Sequence, residues 1–167
     1  GVLTFASTPD YETKSSYTAT VSVSDGGNSV NQNITVNINN LNDNAPSFTS
    51  NATFTANENQ TAIGTVTATD ADSDDITFSI SGSEINIDAS SGVLTFASAP
   101  DYETKSSYAA TVTASDGTNS TTQDIAVTII DVEENGSTPV ITSSSSFTAD
   151  ENQTAIGTVT ATDADSD

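Results

Sequence analysis

The chain has 167 residues and a formal charge of −21, from 23 Asp and Glu against two lysines, with no arginine and no histidine. A surface so poor in cations repels phosphate and anionic lipid, which excludes nucleic acid and direct membrane insertion as partners and makes cations attractive ones. With no cysteine there is no disulfide, no thiol nucleophile and no zinc thiolate.

Hydrophobic residues are 34% of the chain, and they alternate with Thr, Ser and Asn rather than scatter, which argues for strands over disorder. No apolar run approaches the roughly eighteen residues of a membrane helix. The chain also repeats itself. Residues 1–44 return at 92–135 with 29 of 44 positions identical, and residues 54–74 return at 147–167 with 20 of 21 identical. The offsets, 91 and then 93, place a two-residue insertion, Gly136-Ser137, in the second linker. A period near 91 is too long for a solenoid unit and suits a tandem array of small β-sandwiches. The expected division is residues 1–44 as the back half of one repeat, 45–135 as a complete repeat and 136–167 as the front of a third. The sequence thus reads as an excerpt of a longer array, or as half repeats that complete neighbouring chains.

Taken in order, the complete repeat opens with a first strand around Phe48–Ala56. A second follows through Ile63, Val66 and Ala68, with an irregularity at Gly64. Ile76, Phe78 and Ile80 alternate in a third, and short strands are expected at Ile85–Ile87 and Val93–Phe96. Two longer alternations close the unit, Tyr108 to Ala114 and Ile125 to Ile129, with turns at Ser81-Gly82-Ser83, Ser90-Ser91-Gly92 and Asp116-Gly117. The class is all-β: tandem seven-stranded, immunoglobulin-like Greek-key sandwiches. The expected core is Ile63, Val66, Ile76, Phe78, Ile80, Ile87, Leu94, Phe96, Tyr108, Val112, Ile125, Val127 and Ile129.

Between the sandwiches lies Asn40-Leu41-Asn42-Asp43-Asn44-Ala45-Pro46, a segment of side-chain oxygens that ends on a proline and is no strand. Further acidic motifs sit outside strand interiors: Asn57-Glu58-Asn59, Asp70-Ala71-Asp72-Ser73-Asp74-Asp75, Asp101-Tyr102-Glu103, Asp116-Gly117 and Asp131-Val132-Glu133-Glu134-Asn135. Strands that alternate in direction gather such loops at the two ends of a sandwich. Carboxylates crowded there repel one another unless a cation sits among them. Oxygen ligands in this number, without His or Cys, point to Ca²⁺. An EF-hand loop starting at Asp70 fails, because Asp75 and Ser81 stand where that loop needs Gly and Glu. Asp74 and Asp75 read equally as ligands or as solvated surface. The alternating Thr65, Thr67 and Thr69 fit an ordinary exposed strand face better than an ice- or sugar-binding one. Tyr11 and Tyr102 read as packing residues, and the Asn-x-Thr sequons as chance in so Asn- and Thr-rich a chain. With no His or Cys and two lysines, general bases and nucleophiles are scarce, so an enzyme is not expected.

These motifs, in this order, resemble the cadherin repeat. Asn42 to Phe48 is similar to its linker, Asn57-Glu58-Asn59 to its first-strand glutamate motif, and Asp70-Ala71-Asp72 to its Asp-x-Asp. Asp10-Tyr11-Glu12 and Asp101-Tyr102-Glu103 match its Asp-x-Glu, and Asp25 and Asp116 its aspartate before Gly. The near-identical Thr-, Ser- and Asp-rich copies resemble the cadherin-like repeats of large bacterial surface adhesins, a biofilm-type setting, more than animal cadherins. The resemblance implies several Ca²⁺ per junction, held by the end of one repeat, the linker and the start of the next. At the first junction it implies Asp10, Glu12, Asn40, Asn42, Asp43, Asn44, Asp70, Asp72 and Asp116. At the second it implies Glu58, Asp101, Glu103, Asp131, Glu133, Glu134, Asn135, Asp163 and Asp165. The linkers depart from the family pattern: Asn40 replaces its opening Asp, while Glu133 and Glu134 replace Asn and Asp before the Gly136-Ser137 insertion. The implied function is a calcium-rigidified spacer in an extracellular, cell-surface adhesin, with neighbouring repeats of the same chain as partners. The alternative is a repeat that itself adheres, by homophilic or glycan contact.

Overall fold

The computed structural model describes every residue except 135, 137 and 164–167. The first repeat contributes a hairpin, β1 (Ser16–Ser24) and β2 (Ser29–Asn37), paired antiparallel from Ser16↔Asn37 to Ser24↔Ser29. Its turn is set by Asp25, whose Oδ1 accepts the Gly27 and Asn28 N–H groups at 2.9 and 2.7 Å.

The complete repeat follows as β3 (Ser47–Phe48), β4 (Thr53–Asn57), β5 (Ala62–Thr65), β6 (Ala68–Thr69), β7 (Thr77–Ile80), β8 (Ile85–Ile87), β9 (Val93–Phe96), β10 (Ser107–Ser115) and β11 (Ser120–Ile130). The order β4-β11-β10-β7 makes one sheet and β5-β9-β8 the facing one, with β3 paired to β6. All pairs are antiparallel except β4 with β11. In the third repeat, β12 (Val140–Ile141) pairs with β13 (Ala161–Thr162).

The expected single first strand is divided. Ser47–Phe48 lies on β6, whereas Thr53–Asn57 lies beside β11, so the chain changes sheets between them. The N–H groups of Thr49 and Ser50 both turn to the Thr67 carbonyl at this corner, which closes one edge of the sandwich. The irregularity at Gly64 is present as a register shift between Ala62 and Gly64. The Phe54 ring packs against the glycine there: a Cβ on Gly64 would stand 2.9 Å from Phe54 Cδ1. The same crowding recurs between Gly157 and Phe147, at 2.6 Å, so sequence and packing repeat together.

Between the sheets lie Val66, Phe78, Leu94, Phe96, Val112, Ile125, Val127 and Ile129, all buried, as alternation predicts. Ile63, Ile76, Ile80, Ile87 and Tyr108 pack on this cluster while staying partly exposed. Ala56, Ile85 and Ala114 are additional core members, buried to 5%, 2% and 0% exposure. Burial depends on the facing sheet. Leu94 is fully buried, while Val93 beside it on β9 is 42% exposed.

The β8–β9 turn is tied by Asp88, whose Oδ1 accepts from the Ser90 and Ser91 backbone N–H groups and from both hydroxyls. Gly92 follows at φ +70, where a side chain would collide with the Val66 carbonyl. Hydrogen bonds from Ser91 and then Ser90 hold the Asp88 carboxyl at about 2, against 3.8 for an ordinary aspartate. A depressed folded-state pKa stabilises the fold above the unfolded value and loses that contribution as pH falls through the folded value. Asp88→Asn is therefore expected to melt below the wild type at pH 6. The gap should close progressively from about pH 4 to about pH 2. A gap that stays constant over acid melting curves contradicts this assignment.

Candidate metal centres at the joints

Alternating strand direction puts the β6–β7 loop, the β10–β11 turn and the incoming linker at one end of the complete repeat. The loop after β4, the loop before β10 and the segment after β11 lie at the other.

At the incoming end the linker leaves the first repeat with Ile38 N–H bonded to the Ser15 carbonyl at 2.9 Å, and it enters the complete repeat at the buried Pro46. Asp72, only 5% exposed, receives it. Its Oδ2 accepts the Asp43 and Asn44 N–H groups at 3.0 and 2.8 Å, and its Oδ1 accepts Asn44 Nδ2 at 3.0 Å. The Asp72 carbonyl accepts Asn40 Nδ2 at 2.7 Å. Burial pushes the Asp72 carboxyl up, but the hydrogen bonds, Asn44 foremost, outweigh it and hold the group below the ordinary aspartate value.

Glu12, from the first repeat, meets Asp43 and Asp72 here, with carboxylate oxygens of all three within 4.8 Å of one another. Its own backbone N–H favours the charged form. Burial and the Asp72 and Asp10 carboxylates nevertheless leave its pKa raised. Asp10 is a turn former instead: its carboxylate accepts the Glu12 N–H and both the N–H and hydroxyl of Thr13.

A second group, Asp70, Asp72 and Asp74, shares Asp72 and falls within the same 4.8 Å limit. Asp72 N–H donates to Asp70 Oδ1 at 2.9 Å, while Asp70 Oδ2 is buried without a partner. Burial, then Asp70, Asp72, Asp116 and Asp75, push the Asp74 carboxyl up. Asp74, which reads equally well as solvated surface in the sequence, thus belongs to the cluster. Asp116 accepts the N–H groups of Thr118 and Asn119. Asn119, which sequence reasoning passes over, turns its Nδ2 to Asn42 Oδ1 at 2.7 Å, the Asn44 carbonyl at 3.1 Å and Asp116 Oδ2 at 3.3 Å. Its signal is the Asp-Gly-x-Asn pattern, present in both copies as Asp25–Asn28 and Asp116–Asn119.

At the outgoing end Glu58 is 3% exposed, its Oε2 accepting Tyr102 N–H and its Oε1 Val132 N–H, each at 2.8 Å. Glu58 joins Glu103 and Glu134 in a third cluster, and Asn59, at φ +61, donates to Glu134. The Glu103 N–H favours its charge, but burial and the charges of Glu58, Asp131 and Asp101 leave its pKa raised. Asp101 is capped by Thr104 as Asp10 is by Thr13. Among the described residues, Asp10, Asp101, Asp116, Asp131, Glu133 and Asp163 fall outside the three clusters. Asn135 and Asp165 lie outside the described residues.

This chemistry fits a hard cation. The donors are oxygens only, the carboxylates crowd within a coordination sphere's width, three of them are driven toward protonation by burial and by their neighbours, and one buried oxygen is orphaned. Neither lysine is part of the clusters. Each lies 4.4 Å from the centre of a tyrosine ring, Lys14 over Tyr17 and Lys105 over Tyr108.

A family profile described as the cadherin domain matches residues 51–133. Among solved structures, the chain is similar to extracellular cadherin domains 3–6 of protocadherin gamma B2, with TM-score 0.76 and 26% identity over 93% of this chain and 44% of that one. It is similar to the EC3-6 cis-dimer structure of protocadherin gammaB7, with TM-score 0.77 and 25% identity over 95% and 44%. It is also similar to mouse cadherin-23 EC22-24, with TM-score 0.69 and 27% identity over 95% and 56%. The chain therefore spans about half of these neighbours' lengths. None of the curated proteins matches it in sequence.

Proposed function

Residues 51–133 being a cadherin domain, we propose that the chain is a run of calcium-stiffened extender repeats from an extracellular, cell-surface adhesin. Cadherin domains are structural adhesion modules rather than enzymes. The observation that carries the reading is the meeting of Glu12, Asp43 and Asp72, one carboxylate each from the first repeat, the linker and the complete repeat. The division into 1–44, 45–135 and 136–167 follows from the same picture. The near-identical copies rich in Thr, Ser and Asp favour a bacterial surface adhesin, since a spacer repeats freely whereas a single binding site needs no copies.

In the first joint Glu12, Asp43 and Asp72 would hold the ion, with Asp70 and Asp74 beside them. Asp10 and Asp116 shape the turns that present this set, and Asn42 and Asn44 fix the linker. In the second joint Glu58, Glu103 and Glu134 are the corresponding group, flanked by Asp101, Asp131 and Glu133. Bound Ca²⁺ supplies the positive charge that these carboxylates lack. Without it, mutual repulsion works against the joints, most strongly at the second, where residues 131–135 carry three carboxylates and residues 40–44 carry one. Extracellular calcium modules have dissociation constants of about 10⁻⁴–10⁻³ M, which suits millimolar calcium outside a cell.

Chelation is expected to lower the melting temperature and to broaden small-angle scattering profiles toward those of a bent chain, with calcium restoring both. Identical melting and scattering with and without chelator would sink the proposal. The likeness to a cis-dimer structure favours a second reading, direct contact between copies. Calcium-dependent dimers in analytical ultracentrifugation would promote it over the spacer.

A further inference from the structure

We infer that Asn40 is a positioning residue that latches the first joint by hydrogen bonding alone, so that this joint keeps its alignment without a cation while the second does not. The latch rests on a donor. Asn40 Nδ2 lies 2.7 Å from the main-chain carbonyl of Asp72. A carbonyl only accepts, so the amide nitrogen, not its oxygen, must face it. Asn40 sits two residues beyond Ile38, which is pinned to the first repeat through the Ser15 carbonyl, whereas Asp72 belongs to the β6–β7 loop of the next repeat. This single bond therefore connects the two repeats.

Its surroundings reinforce it with donors that need no metal. The Asp72 carboxylate is met by the N–H groups of Asp43 and Asn44 and by the Asn44 amide. From the β10–β11 turn, Asn119 Nδ2 reaches Asn42 Oδ1 and the Asn44 carbonyl. Linker and loops are thus joined by amide and backbone donors.

The equivalent positions of the second linker cannot repeat this. Asp131 replaces Asn40, Glu133 replaces Asn42 and Glu134 replaces Asp43. An ionised carboxylate at position 131 accepts only, and so loses the donor outright. Residues 131–135 carry three carboxylates where residues 40–44 carry one, and Gly136-Ser137 lengthens the segment. The two joints therefore differ in kind. The first is held by hydrogen bonds to which a cation adds, while the second depends on its cation for charge balance. A chain built so bends first at its second joint as calcium falls.

The chain has no cysteine, so spin labels can be placed uniquely, at the exposed Thr18 on β1 and the exposed Ser79 on β7. Distances between them are measured by pulsed electron resonance in excess chelator, for the wild type, Asn40→Asp and Asn40→Ala. The latch predicts a narrow distribution in the wild type and one broadened roughly twofold in both variants, as a second population of orientations opens. The alanine variant separates loss of the donor from added repulsion. All three should keep the same melting transition for the complete repeat, because Asn40 lies outside its core. A wild type as broad as Asn40→Asp in chelator, or an Asn40→Ala as narrow as the wild type, overturns the inference. Calcium added to Asn40→Asp tests the proposed function separately. If it fails to narrow the distribution while the wild type stays narrow, the latch stands and calcium stiffening falls.

Discussion

Leu94→Ala is expected to destabilise the complete repeat by about 2–5 kcal/mol, the cost of removing a buried leucine and leaving part of its cavity. Leu94 has no exposed surface and sits on β9, the middle strand of its sheet, between β5 and β8. Strand pairing alone cannot relax into the space, because both neighbours are fixed by their own registers, Gly64↔Leu94 on one side and Ile87↔Leu94 on the other. The repeat supplies its own control. Val93, the preceding residue on the same strand, is 42% exposed, and Val93→Ala should change stability by no more than about 1 kcal/mol. Urea unfolding of both variants decides the matter, and equal losses would contradict the packing described.

Asp72→Ala is expected to weaken calcium binding at the first joint by about 10–100-fold or more, the range seen when even outer-shell support of a metal ligand is lost. Asp72 is common to two of the three carboxylate clusters and organises both linker and loop. Its removal deletes a ligand and frees the Asp43 and Asn44 N–H groups and the Asn44 amide, while the main-chain bond to Asp70 stays. The second joint, built from Glu58, Glu103 and Glu134, shares none of these groups and should keep its affinity. Titration calorimetry on the wild type and variant separates the two classes of site. A uniform loss across all sites would mean that the variant unfolds the repeat rather than opening one joint.

The strands were legible because each sheet buries one face, so that alternation along β10 and β11 states directly which residues meet the core. What alternation cannot show is where a strand changes partners. Asn51 and Ala52 carry no proline or glycine to mark the corner between β3 and β4, and the break follows from closing two sheets on one another. Ile85 and Ile87 share a face, yet Ile85 is buried and Ile87 only partly so, a difference that alternation does not state. The carboxylate motifs were equally plain one by one. Their grouping was not, since Asp43 and Asp72 are 29 residues apart and Asn42 and Asn119 are 77 apart. Asn119 carries no charge, so its one mark in the sequence is the repeated Asp-Gly-x-Asn pattern, which reads first as a turn. The direction of the Asn40 amide depends on a backbone carbonyl, which no side-chain pattern encodes.

Whether these joints hold calcium through the named carboxylates is decided by anomalous diffraction from crystals grown in millimolar calcium. Calcium peaks are expected among Glu12, Asp43 and Asp72, with Asp70 and Asp74 at the same joint, and among Glu58, Glu103 and Glu134 at the other. Crystals in which both groups of carboxylates are merely hydrated at that concentration, with no calcium peak at either joint, would contradict calcium binding at the joints.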